Sequence, residues 1–277
     1  MRPARLASLV TAGALIAALA VPATTAAADD AMIRVLHGSP DTPSVDVFAN
    51  DGKVDALSGL VFGDLTSYVA IPAGTYSIKV CATADNTVCP IGPIDLPFAA
   101  GERYTIAASD LLSSIDANVF TDGSAMAGKA KVRVVHLSAD TPAVDVLTED
   151  GAATVVDNLA YPSETGYLEL DPATYDLKVC ANADNTVCPL NLDPLPLDGA
   201  TAYTVFAIGA LDPGEGAAAL TAVVGVDDML APATDSIAPA VGTSNGATGW
   251  TGILAMGLAG LLAMAGTLRL VGRRSRR

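Results

Sequence analysis

The chain is poor in the groups that carry most enzyme chemistry. Two histidines, four cysteines, one tryptophan and 5% aromatic residues are spread over 277 positions. Cations are scarce as well. All 30 acidic residues fall between Asp29 and Asp235, where only Arg34, Lys53, Lys79, Arg103, Lys129, Lys131, Arg133 and Lys178 are basic. Eight against thirty leaves that stretch at −22. A field of that sign repels phosphate backbones and anionic headgroups, which excludes nucleic acid as a partner and favours cations and solubility. Helix-period apolar stretches of useful length are also missing from the central 200 or so residues, so helical and mixed fold classes are set aside.

What the chain does have is one unit used twice. Residues 34–108 recur at 133–207, at a fixed offset of 99 and without a gap, with about four positions in ten identical. The first copy opens RVLHGSPDTPSVDV and later reads KVCATADNTVCP; the second opens RVVHLSADTPAVDV and later reads KVCANADNTVCP. A solenoid repeat is 20 to 50 residues; a unit of this length can hold its own core. Within each copy, short β-rich runs alternate with turn residues, as in a sandwich or barrel. Tyr76, Ile78 and Val80 alternate with Ser77, Lys79 and Cys81, the period-two signature of a half-buried strand. Ile33, Val35 and His37 share a face of the opening strand. Asp51-Gly52 and Asp150-Gly151 read as equivalent tight turns. The expected fold is all-β: two tandem immunoglobulin-like β-sandwiches, residues 29–128 and 129–230, joined end to end by a short linker around 123–128.

The ends read differently. Residues 1–28 have a basic start, an apolar run from Leu6 to Val21 and small residues before Asp29, the layout of a secretory signal peptide. Residues 231–249 are rich in Pro, Gly, Ser and Thr and read as a flexible stalk. Residues 250–268 carry no charge and at about 1.5 Å per residue match a bilayer, so a C-terminal transmembrane helix is expected. Five arginines follow in 269–277, and no lysine or arginine lies between Lys178 and Trp250, which places the tail in the cytoplasm and the repeats outside. The protein is thus expected to be a single-pass cell-membrane protein with an extracellular ectodomain.

Candidate sites are few. Cys81 with Cys89 and Cys180 with Cys188 bracket the same Ala-Asp-Asn-Thr turn; in an exported chain this spacing points to one local disulfide per copy. Two thiolates per copy fall short of a structural zinc site. His37 and His136 hold equivalent places, followed by Ser39 and Ser138 and by Asp41 and Asp140. One reading is a hydrolytic triad, but three groups within five residues would need an unusual chain reversal to line up. The other is a partly buried histidine that bonds the Asp-Thr-Pro turn, with the turn structural or ligand-bearing. Asp41, Asp46, Asp85, Asp140, Asp145 and Asp184 are retained in both copies, yet no calcium-loop pattern is present, so they read as turn-forming and solvated. No catalytic, cofactor or metal residues are assigned.

The pattern His-x-Ser-x-Asp-x-Pro-x-Val-Asp-Val, with Gly74-Thr75-Tyr76 and Ala173-Thr174-Tyr175 further on, resembles the bacterial domain of unknown function 4397 in two tandem copies. The resemblance implies β-sandwiches of surface or secreted proteins and brings no catalytic residues. Together these readings lead to a non-enzymatic, membrane-anchored surface protein that presents two domains to a surface protein or glycan, or serves structurally in the envelope. The competing class is an envelope hydrolase or calcium-dependent enzyme built on the His37 and His136 clusters. Sortase attachment would also suit the tail layout, but the Leu-Pro-x-Thr-Gly motif is absent.

Overall fold

A computed structural model describes residues 29–231; the signal peptide, anchor, basic tail and nearly all of the stalk read from the sequence lie outside the described residues. Seventeen strands follow one another with a single 3₁₀ turn at Asp55–Leu57. The first copy holds β1 (Ala31–His37), β2 (Val45–Ala49), β3 (Gly52–Lys53), β4 (Val69–Ile71), β5 (Gly74–Ala82), β6 (Ile91–Phe98), β7 (Arg103–Ser109) and β8 (Asp116–Asp122). The second holds β9 (Ala130–His136), β10 (Val144–Thr148), β11 (Thr154–Leu159), β12 (Ser163–Glu164), β13 (Leu168–Leu170), β14 (Ala173–Ala181), β15 (Leu190–Leu197), β16 (Thr201–Ile208) and β17 (Thr221–Met229). The described residues are all-β. Among the described residues no helix is long and apolar enough to cross a membrane.

Each copy folds as two sheets. In the first, one sheet runs β4-β1-β7-β8 and the other β3-β2-β5-β6; the second copy repeats the scheme as β12-β9-β16-β17, with β13 also on β9, and β11-β10-β14-β15. β1 and β7 are parallel, as are β9 and β16. Between the sheets of the first copy lie Ile33, Val35, Val45, Val47, Ile78, Val80 and Ile106, and their equivalents fill the second. Period-two alternation delivers these side chains to one face. The outer edge strands β6 and β15 carry Pro93 and Pro97, and Pro194 and Pro196, which lack the N–H that another strand would need.

β1 and β9 are buried along both faces, because the sheets that contain them pack against each other. A third cluster, Leu36, Ala107 and Phe120 with Val135, Leu137, Phe206 and Ile208, is drawn from both copies. Each copy keeps its own core, but the end-to-end arrangement expected from the short linker is replaced by face-to-face packing in four layers. Burial of this apolar cluster outweighs the freedom of a few linker residues. The linker itself is pinned: Gly123 N–H donates to Tyr167 Oη (2.8 Å) and Ala125 N–H to Asp228 Oδ2 (2.9 Å).

The copies meet with complementary sizes. Equivalent positions in the two copies hold Gly38 and Leu137, Ala107 and Phe206, Ser109 and Ile208, and, opposite Thr105 and Thr204, Phe120 and Gly225. A Cβ on Gly225 would lie 2.6 Å from Leu65 Cδ2 and 2.7 Å from Arg34 Nη1, so this position has room only for glycine without a shift.

The two hairpin turns also differ. Asn50 and Asp51 both take positive φ (49° and 65°) between paired Ala49 and Gly52, a two-residue turn of the I′ kind, whereas in the second copy Gly151 is the left-handed residue (φ 70°). Asn50 can enter that region at modest cost, and its Oδ1 accepts the Ser77 N–H (3.0 Å).

Candidate functional site

The strand directions give the ectodomain two unlike ends. β1, β7, β9 and β16 all start at one end, where the linker and the last residue of β17 also lie. At the other end are the turns after β1 and β9, the Cys81–Cys89 and Cys180–Cys188 loops, and the connections 110–115 and 209–220. Among the described residues, the histidine, serine, aspartate and cysteine motifs singled out above fall at this loop end, whereas Gly74-Thr75-Tyr76 and Ala173-Thr174-Tyr175 open β5 and β14 at the other.

Both histidines are closed to solvent. Nε2 of His37 donates to the Pro43 carbonyl (3.1 Å) and Nε2 of His136 to that of Pro142 (3.2 Å). The proton therefore sits on Nε2, and Nδ1 is left as an acceptor. Nδ1 of His136 receives the Ser138 N–H at 3.4 Å; Nδ1 of His37 has no partner. Burial lowers the pKa of both rings below the ordinary histidine value, against weaker opposing hydrogen bonds from the turn, and keeps them neutral. The serines do not face the imidazoles: Ser39 Oγ pairs with Thr42 Oγ1 (2.6 Å) and Ser138 Oγ with Thr141 Oγ1 (2.5 Å), all of these hydroxyls buried or nearly so. The aspartates reach to the neighbouring loop, Asp41 accepting Leu112 N–H (2.7 Å) and Asp140 accepting Leu211 and Asp212 N–H (2.8 and 3.0 Å). Ser138 Oγ also donates to Asp140 Oδ1 (3.2 Å), but neither serine hydroxyl nor either carboxylate bonds an imidazole nitrogen, so there is no triad geometry.

The other four retained aspartates divide into two kinds. Asp85 and Asp184 are exposed and bind the Thr87 and Thr186 N–H and Oγ1 groups within their turns. Asp46 and Asp145 are not solvated as the sequence suggested; both are buried on β2 and β10. Burial alone would raise the Asp46 pKa, but Lys53, the Gly59 N–H and Thr83 hold it below the usual carboxylate value; Asn158 N–H and Asn182 do the same for Asp145. These two carboxylates tie strand to loop in the sandwich interior. The disulfides Cys81–Cys89 and Cys180–Cys188 close the loops above them.

A cleft of about 340 Å³ opens at the loop end, where the two copies meet. Pro40, Asp41, Asp110 and Leu111 line it from the first copy, and Leu137, Ala139, Asp140, Ala210, Asp212 and Glu215 from the second. It gathers the acidic turns but not His37 or His136. Burial would raise the Asp140 pKa, but its two backbone amides and Ser138 hold it low, so it stays charged. Among the described residues no group of three metal-ligating side chains converges on a point.

A set of residues that the sequence reading passed over lies deep in the interface. Arg34 Nε donates to Thr105 Oγ1 (2.8 Å), whose hydroxyl donates to Asp122 Oδ2 (2.6 Å). Arg133 donates to Asp122 and, through Nε, to Thr204 Oγ1 (3.0 Å), which donates to Asp227 Oδ2 (2.7 Å). Arg34 donates to Asp227 and closes the ring. Tyr68 donates to Asp122 (2.6 Å) and Tyr167 to Asp227 (2.7 Å), and each arginine lies over the tyrosine of its own copy, at 4.7 and 5.0 Å. Burial, with the carboxylates adding to it, pushes both phenols well above their usual range, so they remain donors. The signal was present: Arg34, Tyr68 and Thr105 all recur at the offset, and an arginine in an apolar strand demands a partner. Asp122 and Asp227 do not share that offset, because the loop before β17 is longer.

Against known proteins, the model of the family described as a domain of unknown function (DUF4397) matches residues 31–147 and again 130–238. No curated protein matches the chain. Among solved structures, the chain is similar to the C-terminal domain of AlgF from P. aeruginosa, at 25% identity and a TM-score of 0.28, over 36% of this chain and 98% of that one. It is also similar to a putative cell adhesion protein from Bacteroides ovatus, at 10% identity and a TM-score of 0.22, over 75% of this chain and all of the other.

Proposed function

Because the chain belongs to the DUF4397 family and carries its domain twice, we propose that it is a non-enzymatic surface protein whose two β-sandwiches form one binding or structural head, held outside the cell membrane by the segment 250–268. The observation that carries this reading is the use of the His37 and His136 clusters. Each imidazole, serine and aspartate there is engaged with the turn or a neighbouring loop, and the histidines and serines are closed to solvent. A nucleophile and base need to reach each other and a substrate. The signal peptide, the stalk and the arginine tail support the location.

Two experiments test it. Protease added to intact cells is expected to remove the head and leave a small C-terminal fragment in the membrane; full-length protein in the culture medium would refute anchoring, and release only after wall digestion would favour sortase attachment. A panel of ester, peptide and glycan substrates is expected to show no turnover. An activity abolished by His37→Ala at unchanged stability would establish the hydrolase instead.

A further inference from the structure

The loop end is short of positive charge. All eight basic residues of the described ectodomain are engaged elsewhere: Arg34, Lys53, Lys79, Arg103, Lys129 and Arg133 with carboxylates, and Lys131 and Lys178 with the Ser124 and Glu149 carbonyls. None lies in the loops of this end. The carboxylates of Asp41, Asp85, Asp110, Asp140, Asp184, Asp212 and Glu215 therefore have no internal counter-charge.

The same end is apolar where a merely solvated surface would not be. Six of the twelve large hydrophobic residues exposed among the described residues are here: Val61, Val88, Leu111, Leu112, Val187 and Leu211, each between 39 and 55% exposed. Val88 and Val187 stand on the seven-residue loop ADNTVCP, identical in both copies and closed by a disulfide in each. Leu111 and Leu211 flank the cleft between the copies. Exposed aliphatic groups at one end, with Leu111 lining a concavity there and unpaired charges of one sign beside it, have the makeup of an interface.

From this we propose that the loop end is a docking surface for a basic polypeptide segment, with its lysine or arginine side chains directed at the cleft carboxylates and its apolar side chains covering Leu111, Leu211 and the loop valines. This deepens the binding role proposed above and rests on it for the orientation: the last strand leaves at the opposite end, so a head tethered by its C-terminus turns the cleft outward. A cationic partner brings the missing counter-charge, and apolar side chains give it a hold that salt cannot screen.

The test uses the full chain in zwitterionic nanodiscs, with empty discs as reference, and a fluorescent synthetic peptide in which lysine and leucine are separated by serine. Fluorescence anisotropy is expected to report saturable binding, and D212N with E215Q, two exposed cleft changes without hydrogen-bond partners to lose, should weaken it by about tenfold. D95N with E102Q changes net charge equally at other exposed positions and should leave affinity unchanged. Equal losses in both variants, or equal binding of a peptide with leucine replaced by serine, would reduce the effect to general charge attraction and overturn the proposal. Tighter binding after removal of residues 269–277 would make the chain's own arginine tail the occupant and also overturn it. Because binding is read on purified protein, its failure is independent of where the protein resides, which the protease experiment measures.

Discussion

The guanidinium of Arg34 in the first copy is held by the carboxylate of Asp227 in the second, with both residues 2% or less exposed. Arg133 and Asp122 make the reciprocal contact. Buried ion pairs contribute little net stability when complete, but losing one partner strands a charge. Arg34→Ala is expected to destabilise the ectodomain by about 3 to 5 kcal/mol, and Arg34→Met with Asp227→Leu to recover most of that. Denaturant unfolding of both variants checks it. Since the ring spans the copies, the loss should lower one shared transition and not one of two.

Histidine burial sets a pH dependence. His37 and His136 have folded pKa values below 6.5, so between that value and the folded one the unfolded chain binds protons that the native chain does not. Stability should be flat above about pH 6.5, fall as pH drops through it, and level off below the folded pKa. The depressed carboxylates Asp46, Asp140 and Asp145 act only in a more acidic window, below 3.8. Melting temperatures measured across pH should lose the first slope, and keep the second, in H37Q with H136Q.

Gly225→Val is expected to cost about 1 to 3 kcal/mol, because the new side chain must displace Arg34 or Leu65 within a filled interface. Thermal unfolding measures the loss. Leu65→Ala in the same chain should recover part of it, whereas Leu57→Ala, in the core of the first sandwich, should add its own cost independently.

Removing either disulfide, as Cys81→Ser with Cys89→Ser or as the equivalent pair in the second copy, should cost about 2.5 kcal/mol by loop entropy alone. Chemical denaturation of the two double variants reads this directly. If the shared interface couples the copies, either change lowers the unfolding midpoint of the whole ectodomain.

Much of each sandwich was legible in the sequence because strand periodicity is local. Tyr76, Ile78 and Val80 announce their face by alternation, and the cysteine spacing announces its own contact. What was hidden depends on the second copy. The period-two pattern that put Ile33 and Val35 inward left Arg34 and Leu36 apparently outward, and only the opposing sheet makes that outer face interior. The turn chemistry misled in another way: Asp-Gly in both copies suggested one turn, but the left-handed residues are Asn50 and Asp51 in the first. The cleft was illegible for a third reason. Its walls come from loops about a hundred residues apart, and the loop before β17 has no counterpart of equal length in the first copy.

The matched small and large residues across the central sheets also limit how such a chain can grow. A face that carries a buried arginine, and fits only a neighbour with the opposite choice at each position, is satisfied by one mate and leaves no second face of its kind. Adding a third copy would present an orphaned, charged sheet to water, and deleting one would do the same to the survivor. Chains built on this joint should lengthen by pairs.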